Sequence, residues 1–269
     1  MNEAVLKQYE KAPRTWIVQL GVLFLFIIIF AWSGSTIELS KIPENGLQIS
    51  QSILQGIVTP ETSLLLNFTT KGVPYLLLET IAIAFLGTLV GAILAIPFSF
   101  ISATNIVPKP VAIIGRTAIM AIRTVPTLIY GLMFIRVTGP GAFTGLLTMS
   151  VASIGMISKL YIEAIEDLDY KILESLDASG CNFYQKIRFG ILPQLIPAFI
   201  STVIYRFDMN LRDATVLGMV GAGGIGAPLI FAMTAYKWHE VGAILCGLIV
   251  LVLVIEYLST KIRIHLARG

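Results

Sequence analysis

Residues 75–103 read YLLLETIAIAFLGTLVGAILAIPFSFISA, with Glu79 the only charged side chain among them. A run this long and apolar exceeds the roughly 20 residues that carry an α-helix across ~30 Å of hydrocarbon. Lipid offers backbone amides no partner, so a spanning segment either closes its own hydrogen bonds as a helix or joins a closed barrel. The run lacks the ten-residue alternation of a barrel strand, which leaves the helix. That reading decides the fold class: an all-α membrane protein.

Composition extends the reading to the whole chain. Its 269 residues are 56% hydrophobic and 13% charged, with a mean hydropathy of +0.84. The charged share is about half the roughly 25% of a soluble domain, too little to coat one soluble core of this size. Disorder, a collagen-like repeat and a disulfide scaffold are excluded on the same grounds. The formal charge of +3 is small and the basic residues are scattered, so nucleic acid has no footprint. Cys181 and Cys246 stand far apart without metal-ligand spacing and read as unpaired thiols; no metal site is expected.

Outward from residues 75–103, further apolar runs cover 16–32, 111–135, 142–162, 197–220 and 238–258, giving six transmembrane helices. The first is bounded by Trp16 and Trp32, as at two membrane interfaces, and it lacks the small-residue cleavage site of a signal peptide. With the N-terminus inside, the cytoplasmic segments hold eleven Lys and Arg and the outer segments four, which places both termini in the cytoplasm. Three regions follow: residues 1–74 as tail, first helix and extracytoplasmic segment, 75–260 as the main membrane domain, and 261–269 as a cytoplasmic tail. Gly87/Gly91 and Ala243/Gly247 are small pairs that let helix backbones approach, either within the chain or between two copies. Residues 33–74 are mostly polar, and their role is not legible.

The largest cytoplasmic loop is 163–196. Ile172, Leu173, Leu176 and Ser179 recur at helical spacing, predicting a helix over 169–179 that Gly180 ends in the left-handed conformation. A second short helix over 182–189 follows with Asn182 as its N-cap, and Pro193 marks the turn into the fifth span. Two amphipathic helices at a bend make a knob that fits a groove on another protein, or else a folded surface loop without a partner.

The fifth span carries the densest intramembrane charge. Mid-membrane ionisable groups cost about 2.5–3.5 kcal/mol each on insertion scales and normally face a bundle interior or a watery path. Arg206, Asn210 and Asp213 share one helical face within roughly 60°, so they are candidates to line a translocation path. Asp208 and Arg212, four residues apart on the other side, are expected to form a structural ion pair. The alternative is that all four charges pair inside the bundle. Arg123, ahead of Pro126 in the third span, offers a second positive group. Gly221, Gly223, Gly224 and Gly226 match a dinucleotide-loop pattern by letters but follow a membrane helix; they read as a flexible break at the outer end of the fifth span, a candidate outer gate. His239 and His265 have no partners at ligand spacing and read as interfacial.

The loop 163–196 resembles the coupling loop of ABC importer permeases, whose pattern is Glu-Ala-Ala, three residues, Gly, nine residues, Ile, one residue, Leu-Pro. Glu174, Gly180, Leu192 and Pro193 fall at the matching positions, while Ser175 and Leu176 replace the alanines and Gly190 stands at the Ile position. Segments 86–92 (LGTLVGA), 123–126 (RTVP), 137–145 (VTGPGAFTG), 159–166 (KLYIEAIE) and 206–218 (RFDMNLRDATVLG) are similar to the phosphonate-importer permeases in particular.

The resemblance implies a type I permease fold in a prokaryotic inner membrane. It implies a second permease copy, two cytoplasmic ATPases that bind ATP and magnesium, and an extracytoplasmic phosphonate-binding protein. Glu174, Ala178, Gly180, Phe183, Leu192 and Pro193 would then dock the ATPase. This chain has no Walker-type GxxxxGK[ST] loop, so the permease itself is expected to bind no cofactor and catalyse nothing. The implied cargo is phosphonate or a related oxyanion such as phosphite, which suits guanidinium donors along a path. Methionine or another small solute is the alternative cargo. An ion-coupled secondary transporter is the alternative class, although matching inverted halves are not found.

Overall fold

The computed structural model describes residues 15–35 and 45–268. Its longer helices are α1 (Thr15–Ser35), α2 (Gly46–Val58), α3 (Val73–Ser102), α4 (Lys109–Thr124), α5 (Thr127–Thr138), α6 (Ala142–Glu166), α7 (Tyr170–Ala178), α8 (Leu192–Met219), α9 (Gly226–Thr234) and α10 (Trp238–Arg268). The chain divides into two compact units, Met1–Gln51 and Ser52–Gly269. In the first, α1 is an uncharged helix of 21 residues, long enough to cross a membrane.

Among the described residues, five helical runs have the length and hydropathy of a span: α1, α3, α6, the stretch Tyr184–Met219, and the α10 stretch Trp238–Leu266. The third span differs from the single helix expected over 111–135. It is broken into α4 and α5, bent by 81° to one another, and only the pair together makes a sixth span. Pro126 is the cause. It has no N–H to give, and its ring drives Val125 to φ −82°, ψ 121°, out of the helical region. One freed carbonyl, that of Ile122, is taken up by the Tyr130 hydroxyl at 3.0 Å.

A second difference concerns Pro193. Instead of a turn, the chain stays helical from Tyr184 to Met219: one α-turn (Phe183–Lys186), a π-helical segment (Ile187–Ile191), then α8. Pro193 sits in the first turn of α8, where a missing N–H removes little, and the wider π-turn ahead of it accommodates the ring. The last helix also runs past residue 258, to Arg268, and α6 past 162, to Glu166.

The core of the second unit is the pair α3 and α6, which run parallel (Gly87 beside Met149, Gly91 beside Ser153, Ala95 beside Ser158), with α8 against both. Small residues set the approach. A Cβ added to Gly91 would stand 2.5 Å from the Ser153 Cβ and 2.8 Å from the Ser150 carbonyl, and one added to Gly87 would overlap Met149. A Cβ on Gly247 would stand 2.5 Å from Val73. Both small pairs therefore serve packing within the chain. Buried hydroxyls on α3 (Thr80, Thr88, Ser99) donate back to carbonyls one turn earlier, which keeps them satisfied without water.

Two apolar clusters close the ends. Val73, Ile225, Leu229 and Ile244 form one, and Ala103, Ile165, Leu168 and Leu195 the other. Part of the segment whose role was illegible packs on the start of α10: the His239 Nδ1 lies 2.7 Å from the Thr59 carbonyl, and the Glu61 N–H donates to the His239 carbonyl at 3.1 Å.

Candidate functional site

The loop after α6 is built by local backbone chemistry. Asp169 caps α7, accepting from the Lys171 N–H at 2.9 Å, while its own N–H donates to Gln194 Oε1 of α8 at 2.9 Å. Gly180 follows α7 at φ +75°. Its N–H donates to the Asp177 carbonyl at 2.9 Å, and that of Cys181 to the Leu176 carbonyl at 3.0 Å, the paired bonds of a Schellman turn. Asn182 then caps the next turn reciprocally. Its Oδ1 accepts from the Gln185 N–H at 3.0 Å, and its N–H donates to Gln185 Oε1 at 2.8 Å. Lys186 pairs with Asp177 across the bend.

Glu174, Ala178, Gly180, Leu192 and Pro193 are all exposed on this element; the Phe183 side chain lies outside the described residues. Two aromatic neighbours escaped the sequence reading: Tyr184 is 80% exposed and Phe189 61%. An alternation count along 182–189 would have flagged them as too apolar for a solvated turn.

The charges of α8 form a second, buried constellation. Arg206 is 5% exposed; its Nε donates to Ser153 Oγ at 3.2 Å, and a terminal nitrogen lies 3.9 Å from Asp213. Asn210 is fully buried and donates from Nδ2 to Thr88 Oγ1 (2.8 Å) and Ser153 Oγ (2.7 Å), so one amide ties α3, α6 and α8 together. Arg206, Asn210 and Asp213 thus share a face and a network, as their spacing predicts. Asp208 and Arg212 form their ion pair at 2.5 Å, and Arg212 also reaches Glu256 of α10 at 3.9 Å. Thr88, Ser153 and Glu256 were missed. Their only signal is a polar group within an apolar span.

Arg123 does not join them. Its side chain lies against Gly155 of α6, whereas Arg206 meets Ser153. Arg206 also reaches Met156 at 3.3 Å, and Ser153 and Met156 stand about 200° and 100° around the helix from Gly155, so the two arginines meet different sides of α6. Arg123 instead lines a cleft of 210 Å³ between α4 and α6, with Arg116, Lys159, Glu163 and Glu166.

The glycine run is not a loose break. Gly221, Gly223 and Gly224 take φ of 101°, 81° and 73°, and Gly226 opens α9, a helix that the sequence did not suggest. A Cβ on Gly223 would stand 2.7 Å from Ala142, and one on Gly224 2.7 Å from Thr80 Oγ1. The Gly141 N–H donates to the Gly221 carbonyl at 2.9 Å and the Ile225 N–H to Thr80 Oγ1 at 3.0 Å. The turn is a packed joint between α3, α6 and α8.

The model of the binding-protein-dependent transport system inner membrane component family matches residues 95–262, more than half of the chain. The chain belongs to this family. The permease is 31% identical over 265 residues to the phosphite transport system permease protein PtxC of Stutzerimonas stutzeri, covering 98% of this chain and 94% of that one. It is 39% identical over 120 residues to the putative cryptic phosphonate transport system permease protein PhnE2 of Escherichia coli K12, covering 45% of this chain and 98% of that one. Among solved structures it resembles a chain of the inward-facing MetNI methionine ABC transporter, with TM-score 0.62 and 19% identity over 70% of this chain and 93% of that one. A chain of an amino acid ABC transporter with histidines gives TM-score 0.58 at 16% identity, over 81% and 96%. At those identities the structures establish the fold, that of a type I ABC importer permease, and nothing of the cargo.

Proposed function

We propose that this permease passes a phosphorus oxyanion, phosphite or a phosphonate, across the inner membrane as the spanning subunit of an ATP-driven importer. Similarity along nearly the whole of both chains to a phosphite transport system permease carries the reading. Two copies of the permease, two ATPases that bind ATP and magnesium, and a phosphonate- or phosphite-binding protein on the outer face complete the assembly. The permease itself holds no catalytic site or cofactor, and both termini lie in the cytoplasm.

The knob formed by α7 and the capped turn after it docks the ATPase through Glu174, Ala178, Gly180, Phe183, Leu192 and Pro193. Its exposure and its rigid, doubly capped bend support that role. The translocation path runs past the α4–α5 break. Backbone freed from a helix at membrane depth is tolerated only against protein or a water-filled cavity, and around this break Arg123, Thr124, Pro126 and Leu128 are exposed on the single chain while Val125 and Thr127 are half-buried. Arg206 and Asn210 stiffen the wall of that path, Asp213 reaches it with a half-exposed carboxylate, and Arg123 brings positive charge. The joint Gly221–Gly226 acts as the outer gate, because a shift of α8 is passed through it to α3 and α6.

Proteoliposomes holding the permease with its ATPase, supplied with the binding protein and labelled phosphite, test the reading. ATP-dependent uptake, competed by methylphosphonate and not by methionine, is the expected result. Uptake competed by methionine, or driven by an ion gradient without ATP, overturns it.

A further inference from the structure

The cleft between α4 and α6 has a charge balance unlike that of the α8 network. Arg116 is neutralised: its terminal nitrogen lies 2.5 Å from Glu166, and its Nε donates to the Ser102 carbonyl at 3.0 Å. Glu166 is held further by the Thr104 N–H at 2.7 Å. Lys159 shares Glu163 at 3.4 Å, both half-exposed. That leaves Arg123, exposed and with no carboxylate partner among the described residues. An unpaired guanidinium within an apolar span is costly unless it faces water or an anion.

The other walls are apolar, from Ile119, Met120 and Ile162. A cleft of 210 Å³ has room for about seven waters at ~30 Å³ each, hence for a small tetrahedral ion with part of its hydration. The two carboxylates of the cleft already have cations, so the charge of Arg123 is left uncompensated by them. A planar fork of N–H donors matches two oxygens of a phosphorus oxyanion.

We propose that the α4–α6 cleft is a binding site for a tetrahedral phosphorus oxyanion, seated on Arg123. The oxyanion is either a free ion in transit or the headgroup phosphate of an anionic lipid: basic pockets between spans take lipid headgroups, and the same guanidinium fork fits the oxygens of a free ion. The free-ion source rests on the permease reading above; the site itself does not.

The test uses the permease–ATPase complex in vesicles. Cys181 and Cys246 are replaced by serine, and Met120→Cys, on the cleft wall, is the reporter for a charged, water-soluble thiol reagent. Three arms compare phosphatidylcholine vesicles alone, the same vesicles with millimolar sodium phosphite, and vesicles containing phosphatidylglycerol without phosphite. The expected result is a reactive reporter whose labelling slows several-fold with phosphite, with phosphatidylglycerol, or with both, each arm naming its source. Arg123→Gln abolishes the slowing and Arg123→Lys retains part of it. An unreactive reporter, equal rates in all arms, or slowing that survives Arg123→Gln overturns the site. Phosphite uptake is scored on matched vesicles: uptake without protection removes the site and leaves the permease reading, and protection without uptake does the reverse.

Discussion

Two asparagines, Asn182 and Asn210, both hold helices in place, and they do so in opposite ways. Asn182 exchanges both of its bonds with Gln185, three residues away, on an exposed turn. Asn210 bonds Thr88 and Ser153, 122 and 57 residues away, at full burial. The first belongs to an element whose shape is settled by neighbours in sequence, which suits the docking role proposed for it. The second belongs to a bundle held by long-range polar contacts in the absence of a hydrophobic drive between helices. Disturbing the knob should therefore change coupling and spare the fold; disturbing the bundle should do the reverse.

The largest expected effect tests the knob. Glu174→Arg reverses the charge of an exposed side chain, and Gly180→Trp fills open space at the bend. Either should bring ATP-driven uptake to background while the thermal midpoint of the glutamate variant stays within the scatter of wild type, as surface substitutions usually do. Normal uptake in both would separate the knob from ATPase docking. Next comes the bundle. Arg212→Met strands the buried carboxylate of Asp208, whose side chain is 7% exposed. Breaking one partner of a buried pair costs about 3–5 kcal/mol, and the half-exposed Arg212 brings the expectation to about 2–3 kcal/mol in detergent melts. Adding Asp208→Leu should recover much of it. A double variant as unstable as the single one would mean that Asp208 serves something besides the pair.

Asn210→Ala should act more gently, by about 1 kcal/mol, since interhelical hydrogen bonds in membranes average ~0.6 kcal/mol each. The readout is again the global melt, because three helices share the amide.

The same contrast explains what could be read from the sequence. The span count, the helix over 169–179, the stop at Gly180 and the Asn182 cap were legible because spacing and local chemistry determine them. The face shared by Arg206, Asn210 and Asp213 was legible for the same reason, being a matter of helical period alone. The partners of that face were not. Ser153 and Thr88 become ligands of Asn210 only because Gly91 and Gly87 let α3 and α6 close on each other. The separation of Arg123 from Arg206 depends on which side of α6 each helix packs. Pro126 and Pro193 look alike as letters, yet one breaks a span and the other is absorbed, because Pro193 falls at a helix start with a π-turn to receive it. The packed joint and α9 were missed since a joint of four glycines, one alanine and Ile225 carries no periodicity; only contacts with Thr80 and Ala142 fix them.

Asn182→Ala sets the lower end of the scale and sharpens the contrast most. Loss of an N-cap costs roughly 1 kcal/mol of helix stability, comparable in size to the Asn210 change. Its reach should differ. The Asn182 bonds close a ring within one turn, so their loss frays residues 182–186 and passes nothing to α3 or α6. Hydrogen exchange should quicken by about fivefold across that turn, the factor for ~1 kcal/mol, with protection in α8 beyond Ile191 and the global melt unchanged. Faster exchange spreading into α8 would mean that the π-helical segment transmits strain from knob to bundle. The knob would then be a continuation of the fifth span, and its local chemistry would have been only half of what holds it.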